Sequence, residues 1–383
     1  MKSKLVYILI VLLFLTSFLN EVKAQDKGFS EQLIGWLTIN PDDPFKTQLG
    51  MRYIPSIIAN QKIKNDLFLG LEMSVNAYGN GLLYAFDSLE SNAEIKPYRL
   101  WVRFSGKQFE VRAGLQKINF GSATILRPLM WFDKMDPRDP LQLTDGVYSV
   151  LGRYYFLNNA NIWLWGLYGN SDTKGWEVFP SNKKKAEVGG RIQLPVSTIG
   201  EIATSYHYRD GIFDGTFADT LTDRKEFSEN RYSIDGKFDL GIGLWFEGTL
   251  IHQNLNFTDI DYSRLLNIGT DYTFGVGNGL TAIAEYFTYQ SSTNPFESGT
   301  GINFGAMHIS YPVSIISNLS AIVYYDFTNK NFYRFINCSW TYDKWVFYIM
   351  GFWNPDKFQI YQNIGNTNLY SGYGAQVMVV FNN

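Results

Sequence analysis

Residues 66–76 read Asp-Leu-Phe-Leu-Gly-Leu-Glu-Met-Ser-Val-Asn. Leu67, Leu69, Leu71, Met73 and Val75 fall on one face, and Asp66, Phe68, Gly70, Glu72, Ser74 and Asn76 on the other. This is a period of two over about eleven residues, the length and pattern of a tilted strand that crosses a bilayer. The pattern returns at 108–116, where Phe109, Val111, Ala113 and Leu115 oppose Gln108, Glu110, Arg112, Gly114 and Gln116. It returns again at 201–209 and 231–240. A soluble sandwich also alternates, with its apolar face packed on a core. A membrane barrel instead turns that face to lipid and gathers Tyr, Phe and Trp near its strand ends. Tyr154, Phe156, Trp163, Tyr168, Tyr206 and Tyr208 lie at or near such ends.

The composition of the chain points the same way. Of 383 residues, 18% are charged and 17% aromatic, a balance that excludes a disordered chain. Apolar runs of about 20 residues do not recur, which excludes a helical membrane bundle. The lone Cys338 excludes a disulfide scaffold or a cysteine-based metal site and reads as an unpaired thiol. A net charge of −3 gives no reason to expect nucleic acid. At the start, Lys2 and Lys4 precede an apolar run from Leu5 to Leu19, followed by Val22-Lys23-Ala24. This pattern predicts a secretory signal peptide over 1–24, cut after Ala24, and a single barrel domain over 25–383.

Strands are expected near 31–39, 46–56, 64–77, 96–105, 107–120, 146–157, 160–169, 185–194, 200–209, 229–240, 241–253, 263–274, 280–291, 302–311, 318–327, 331–341, 344–353 and 373–382. The fold class is therefore all-β: a transmembrane antiparallel β-barrel of about eighteen strands, or sixteen if the softer boundaries merge. Short connections such as Ser105-Gly106, Asn158-Asn159 and Tyr342-Asp343 alternate with long ones such as 79–95, 121–145, 170–184, 210–228 and 354–372. Short periplasmic turns and long extracellular loops are the outer-membrane arrangement, with both termini on the periplasmic side. The closing segment, Ala375 to Phe381, is apolar with an aromatic near its end, although two Asn follow it.

A barrel of this size encloses an aqueous channel, and its inward residues set selectivity. Alternation places Arg99, Arg103, Arg112, Arg153 and Arg191 inward on neighbouring strands, a basic stripe that would attract anions. Glu72, Glu110, Glu187 and Glu201 also point inward, so the arginines could instead be paired within the wall. His207, Arg209, Lys237 and Asp239 read as wall or rim residues. The long loop 121–145 carries Pro128, Pro137 and Pro140, which stiffen it, and Trp131 and Phe132, which favour burial. Folding into the lumen would bury Trp131 and form a constriction edged by Arg127, Asp133, Asp136, Arg138 and Asp139. The three aspartates would then face the arginine stripe. The rival arrangement is a cap packed on the outer rim.

At this point the sequence resembles a known group. Val111 to Gly121, Val-Arg-Ala-Gly-Leu-Gln-Lys-Ile-Asn-Phe-Gly, is similar to the passage from strand into third loop of Gram-negative porins. The whole mature chain resembles a porin-like protein of the Bacteroidota kind, near the phosphate-selective and alginate-export porin groups. The resemblance implies passive diffusion of small polar or charged solutes across the cell outer membrane. It further implies contact with outer-membrane lipid and lipopolysaccharide, insertion by the barrel-assembly machinery, a homotrimer as one assembly open to it, and no cofactor. Strand lysines are few, so a lysine ladder for phosphate is not legible.

An enzyme is disfavoured. Only His207, His252 and His308 exist, and no third partner for a hydrolase can be named beside any of them. Metal-ligand spacing is not recognised either, and 275–279 lacks the lysine of a phosphate-binding loop. The alternatives are a structural or export barrel of a secretion or polysaccharide system, a channel for apolar molecules, which the polar and charged inward faces disfavour, and a soluble secreted β protein.

Overall fold

The structure, a computed structural model, describes residues 26–85, 88–213, 225–255, 258–355 and 369–383. The expected signal segment 1–24 lies outside these, as does most of the expected loop 354–372. Eighteen strands follow one another: β1 (Asp26–Asn40), β2 (Lys46–Lys64), β3 (Leu67–Tyr84), β4 (Ser88–Ser105), β5 (Phe109–Gln116), β6 (Val147–Tyr155), β7 (Asn161–Leu167), β8 (Glu187–Val196) and β9 (Gly200–Phe213). The second half continues with β10 (Lys225–Asp239), β11 (Gly243–Gln253), β12 (Tyr262–Phe274), β13 (Leu280–Ser292), β14 (Thr300–Pro312), β15 (Ser317–Asp326), β16 (Asn331–Tyr342), β17 (Trp345–Asn354) and β18 (Gly372–Asn382). Each pairs antiparallel with its sequence neighbours, and β1 pairs with β18 from Gln32↔Asn382 to Ile39↔Ala375. The sheet is therefore closed and leaves no edge strand open to pair with another chain.

The faces are reversed from those of a soluble protein. In β3, Leu69 and Val75 are 40% and 41% exposed, whereas Ser74 and Asn76 on the opposite face are 5% and 4% exposed. The same inversion runs through β9 and β10, where His207, Arg209, Arg231 and Asp235 are buried while Tyr206, Tyr232 and Ile234 are exposed. Apolar side chains thus cover the outside, and the closed wall has a polar interior. Exposed aromatics pair at the short-turn end: Tyr154 with Phe156 at 4.9 Å, Tyr272 with Phe274 at 4.8 Å, and Trp345 with Phe381 at 4.9 Å. Several hairpins there use Asn or Asp at positive φ, as at Asn65, Asn159 and Asp343. Asn and Asp adopt that region of backbone space more readily than other non-glycine residues.

Two expectations shift. The stretch 79–95, read as a long loop, is mostly ladder: β3 and β4 stay paired from Gly79↔Ala93 to Tyr84↔Ser88. Its Gly, Asn and Ser read locally as turn formers, but strand formation depends on the cross-strand partner more than on intrinsic preference. The wall is consequently tall at β2, β3 and β4, with 19, 18 and 18 residues, and low at β7, with seven. The fifth strand ends at Gln116 rather than near 120, so the third long connection spans 117–146.

Ile349 is exposed midway along β17, and Ser74 is buried with no partner at its Oγ. Ile349→Lys is expected to cost about 2–4 kcal/mol in urea-driven unfolding from phosphatidylcholine vesicles, because it places a charge on the lipid face. Ser74→Ala is expected to be near neutral. Equal costs at the two sites would refute the assignment of faces.

Candidate functional site

The connection 117–146 is held by two carboxylates from the far wall. Glu247 on β11 and Glu285 on β13 both point inward and are almost completely buried. Glu247 Oε1 accepts the backbone N–H groups of Ser122 and Ala123 at 2.5 and 2.7 Å, and its Oε2 accepts that of Leu129 at 3.0 Å. Glu285 Oε1 accepts those of Thr124 and Ile125 at 2.7 and 3.1 Å, and its Oε2 accepts that of Leu126 at 2.6 Å. Asn267 on β12 completes the clasp by donating to both the Leu126 carbonyl and Glu285 Oε2. The small residues of Gly121-Ser-Ala-Thr let backbone meet carboxylate directly. At Gly121, with φ +102°, a Cβ would lie 2.3 Å from Glu247 Oε1, so only glycine fits. Behind the clasp, Ile125 and Leu126 pack with Leu265, Phe287, Phe304, Tyr324 and Tyr333 of β12 to β16.

Beyond the clasp the connection turns back toward β7 and β9. Trp131 and Phe132 are buried against Phe120, Trp165 and His207, with ring centroids 5.0 to 6.4 Å apart. Arg127 pairs with Asp133 at 3.2 Å and also donates to Asn119. A second connection, 168–186, packs over the first. Trp176 Nε1 donates to the Arg127 carbonyl, and the Gly175 backbone passes so close that a Cβ would lie 1.6 Å from the Met130 carbonyl. This second connection delivers Lys174 and Glu177 into a buried charge cluster. Glu177 meets Arg209 at 3.3 Å and Arg231 at 2.7 Å, Arg209 meets Glu229 at 2.7 Å, and Lys174 meets Glu187 at 3.0 Å. Three cations face three carboxylates there. Trp165 Nε1 donates to His207 Nδ1, which leaves the ring hydrogen on Nε2 to point at Glu187, 3.2 Å away.

The inward arginines of the sequence reading fall into three settings. Arg103, Arg112 and Arg153 surround Glu110 at 3.9, 3.0 and 3.8 Å, with Arg112 over the Trp101 ring and Arg153 over that of Trp163. Arg191 forms a two-pronged pair with Asp235 at 2.6 and 2.7 Å. Arg99 donates to the carbonyls of Tyr98 and Thr144. Glu72 lies beside this group on β3, paired in register with Trp101. The expected field between loop aspartates and strand arginines is not what the geometry gives. Asp133 is tied to Arg127 and Asp136 to Arg138 at 2.6 Å, while Asp139 accepts the N–H groups of Leu141 and Leu143. The loop neutralises its own carboxylates because partners two to six residues away reach them first. Burial pushes the Asp133 and Asp139 carboxyls above the usual carboxylate range. It also pushes the Tyr370 hydroxyl up to about 12.

The last stretch reaches the wall at β1, β17 and β18, where Leu141 and Leu143 pack with Ile34, Met378, Val380 and Tyr348. Cavities of about 520 and 430 Å³ lie on the two sides of this stretch and share Arg138, Asp139, Pro140, Phe335, Met350 and Tyr370. The sequence reading missed Glu247, Glu285 and the partners of His207 and Arg209. Parity alone could have placed both glutamates inward, since Trp245, Glu247 and Thr249 share a face, but nothing local says what an inward carboxylate meets.

No protein-family model matches this chain, and no curated protein matches it in sequence. Solved structures match in fold. OccAB4 of Acinetobacter baumannii superposes with a TM-score of 0.58 at 8% identity, covering 94% of this chain and 99% of that one. OmpT, an outer membrane protein of Vibrio cholerae in trimer form, gives 0.54 at 11% identity over 93% and 99%. The anion-selective porin of Comamonas acidovorans gives 0.52 at 12% identity over 94% and 100%. The likeness is one of architecture: closed antiparallel barrels traced over nearly their whole length.

The clasp is testable. Glu247→Ala with Glu285→Ala strips six backbone N–H groups of their acceptors, each left-over buried donor costing about 1–3 kcal/mol. The connection is then expected to be cut by trypsin at Lys134 or Arg138 in the folded, detergent-solubilised barrel, whereas the wild type resists. Equal resistance would show that packing alone holds the segment.

Proposed function

We propose that the chain is an outer-membrane channel for passive diffusion of small polar or charged solutes, narrowed by residues 121–145 lying across its lumen. The observation that carries this reading is the span of that segment: clasped by Glu247 and Glu285 on one wall and packed by Leu141 and Leu143 on another, it leaves a cavity on each side. Of the residues expected at the constriction, Arg138 and Asp139 line both cavities and Asp136 lines one, while Arg127, Trp131 and Asp133 hold the segment in shape. A polar lumen inside an apolar exterior is what passive diffusion of hydrated solutes requires.

In this reading the segment 1–24 directs export and is removed, the barrel-assembly machinery inserts the chain, and lipid with lipopolysaccharide surrounds it. The Bacteroidota type rests on the sequence resemblance alone. A homotrimer is the assembly to test first, given the trimer form of the Vibrio protein. A structural or export role is the second reading. It is favoured by how thoroughly the two connections and their charge cluster fill the space between β5 and β13.

Planar-bilayer recording separates the two. The purified barrel is expected to give stable ohmic steps, and deletion of 123–143 to raise the step size severalfold. In a salt gradient the arginines around Glu110 predict a reversal potential of anionic sign. A folded barrel that inserts without conducting would sink the diffusion reading and leave the structural role.

A further inference from the structure

The connections leave the barrel unevenly filled: Ile125 and Leu126 cover Phe304, Tyr324 and Tyr333 of β14 to β16, but the part of that wall nearer the short turns stays bare and is chemically unlike the wall they cover. The covered wall holds the arginines, lysine and glutamates described above. The smaller cavity is instead bounded by Ser310 on β14, Asn318 and Ser320 on β15, and Asn337 and Ser339 on β16. Registry sets these in two rungs, Ser310–Ser320–Asn337 and Asn318–Ser339. Cross-strand neighbours on one face lie about 5 Å apart, a spacing comparable to the span of a sugar ring. Ser310 already donates to Asn318, but Asn337 Oδ1 is buried with no partner among the described residues. Above the rungs stand the rings of Phe335, Phe352 and Tyr370, with Tyr348 beside them. The charged groups contributed by the loop are already engaged, Arg138 by Asp136 and Asp139 by backbone N–H groups.

The larger cavity shares the amides and rings but also holds charged side chains, Arg52 and Lys134 beside Asp136, Arg138 and Asp139. Trp36 and Tyr78 flank the Arg52 guanidinium, with ring centroids 6.0 and 5.3 Å from it, and Gln48, Asn80, Asn92 and Gln376 supply amides. Arg52 Nε has no hydrogen-bond partner.

An ion entering the smaller space would lose hydration and gain no free countercharge, which is costly. An uncharged polyol loses far less, because amides and hydroxyls replace its water hydrogen bonds one for one. Its C–H faces then pack on the ring faces, the combination of apolar surface with a few fixed polar groups that makes a small-molecule site. We infer that these two cavities form a binding path for uncharged polyhydroxylated solutes, sugars of one or two rings, with Asn337 and Trp36 as contact residues on the two sides of the loop. This rests on the channel reading above for its route across the membrane, but not for the binding itself.

The experiment uses the full barrel in a detergent without a sugar headgroup. Tryptophan fluorescence is titrated with maltose, sucrose and, as an anionic probe, potassium phosphate, and bilayer conductance is recorded on the same preparation. Both sugars are expected to give saturable changes, and phosphate none. Asn337→Ala and Trp36→Ala are each expected to weaken sugar binding about tenfold, equivalent to ~1.4 kcal/mol. If one variant fails to fold, the other carries the test, since each probes a different cavity. Conduction without sugar binding would overturn this inference alone, as would phosphate saturating in place of sugar or binding indifferent to both substitutions. Sugar binding without conduction would keep the site and overturn the diffusion reading.

Discussion

Two buried carboxylates, Glu247 and Glu285, fix the interior of this barrel. Each accepts three backbone N–H groups from one stretch of eight residues, Ser122 to Leu129. A connection of thirty residues between β5 and β6 would ordinarily remain outside, where water satisfies its backbone. Here the wall supplies the acceptors, so the backbone enters without orphaned donors. The carboxylates gain equally, since a buried glutamate with no donors would be prohibitively costly. Once 122–129 is seated, Trp131 and Phe132 pack on the rings of Phe120, Trp165 and His207 and on the aliphatic side chains of β6 and β7, and Leu141 and Leu143 reach the wall at β1 and β18. The second connection then closes over the first through Gly175 and Trp176.

The charge cluster of Lys174, Glu177, Glu187, Arg209, Glu229 and Arg231 belongs to the same construction. Buried ion pairs contribute little net stability, because desolvation offsets their attraction, but they are strict about partners. Removing one member strands the others. A cluster of three cations and three carboxylates, shared between a wall and a connection, therefore specifies where the connection sits more than it stabilises the fold. Sequence net charge is silent about this, because the cluster sums to zero.

What the sequence made legible follows from how barrels are encoded. Alternation at 66–76 and 201–209 survives any error in strand ends, because parity does not depend on boundaries. The inward placement of Arg103, Arg112, Arg153 and Arg191 came from parity in the same way. Strand ends were less legible: Gly79 to Ile95 looked like a loop because its residues favour turns, whereas the ladder there is decided by the strand opposite. Pairing was not legible at all. Whether Arg191 meets a solute or Asp235 depends on a residue 44 positions away, and no local signal links them. The loop aspartates were misjudged for the opposite reason. Asp133 and Asp136 have arginines within six positions, near enough to capture them before any strand residue can.

Filling the lumen through charged contacts has a consequence for the remaining space. The covered wall uses its arginines and glutamates to hold backbone and one another, so most of those charges face a partner instead of water. Beyond the part of β14 to β16 that Ile125 and Leu126 cover, this wall carries serines and asparagines at inward positions, and these have few partners of their own. The two walls were written with the same alternation and differ in which residues fill the inward positions. Charge stands where a neighbouring strand or a connection supplies a partner, and neutral hydrogen-bonding groups line the space left open. In the proposed reading, the arginines around Glu110 set the field of the lumen, while direct contact with an uncharged solute falls to the side chains between Ser310 and Ser339, which do not stand out in the sequence.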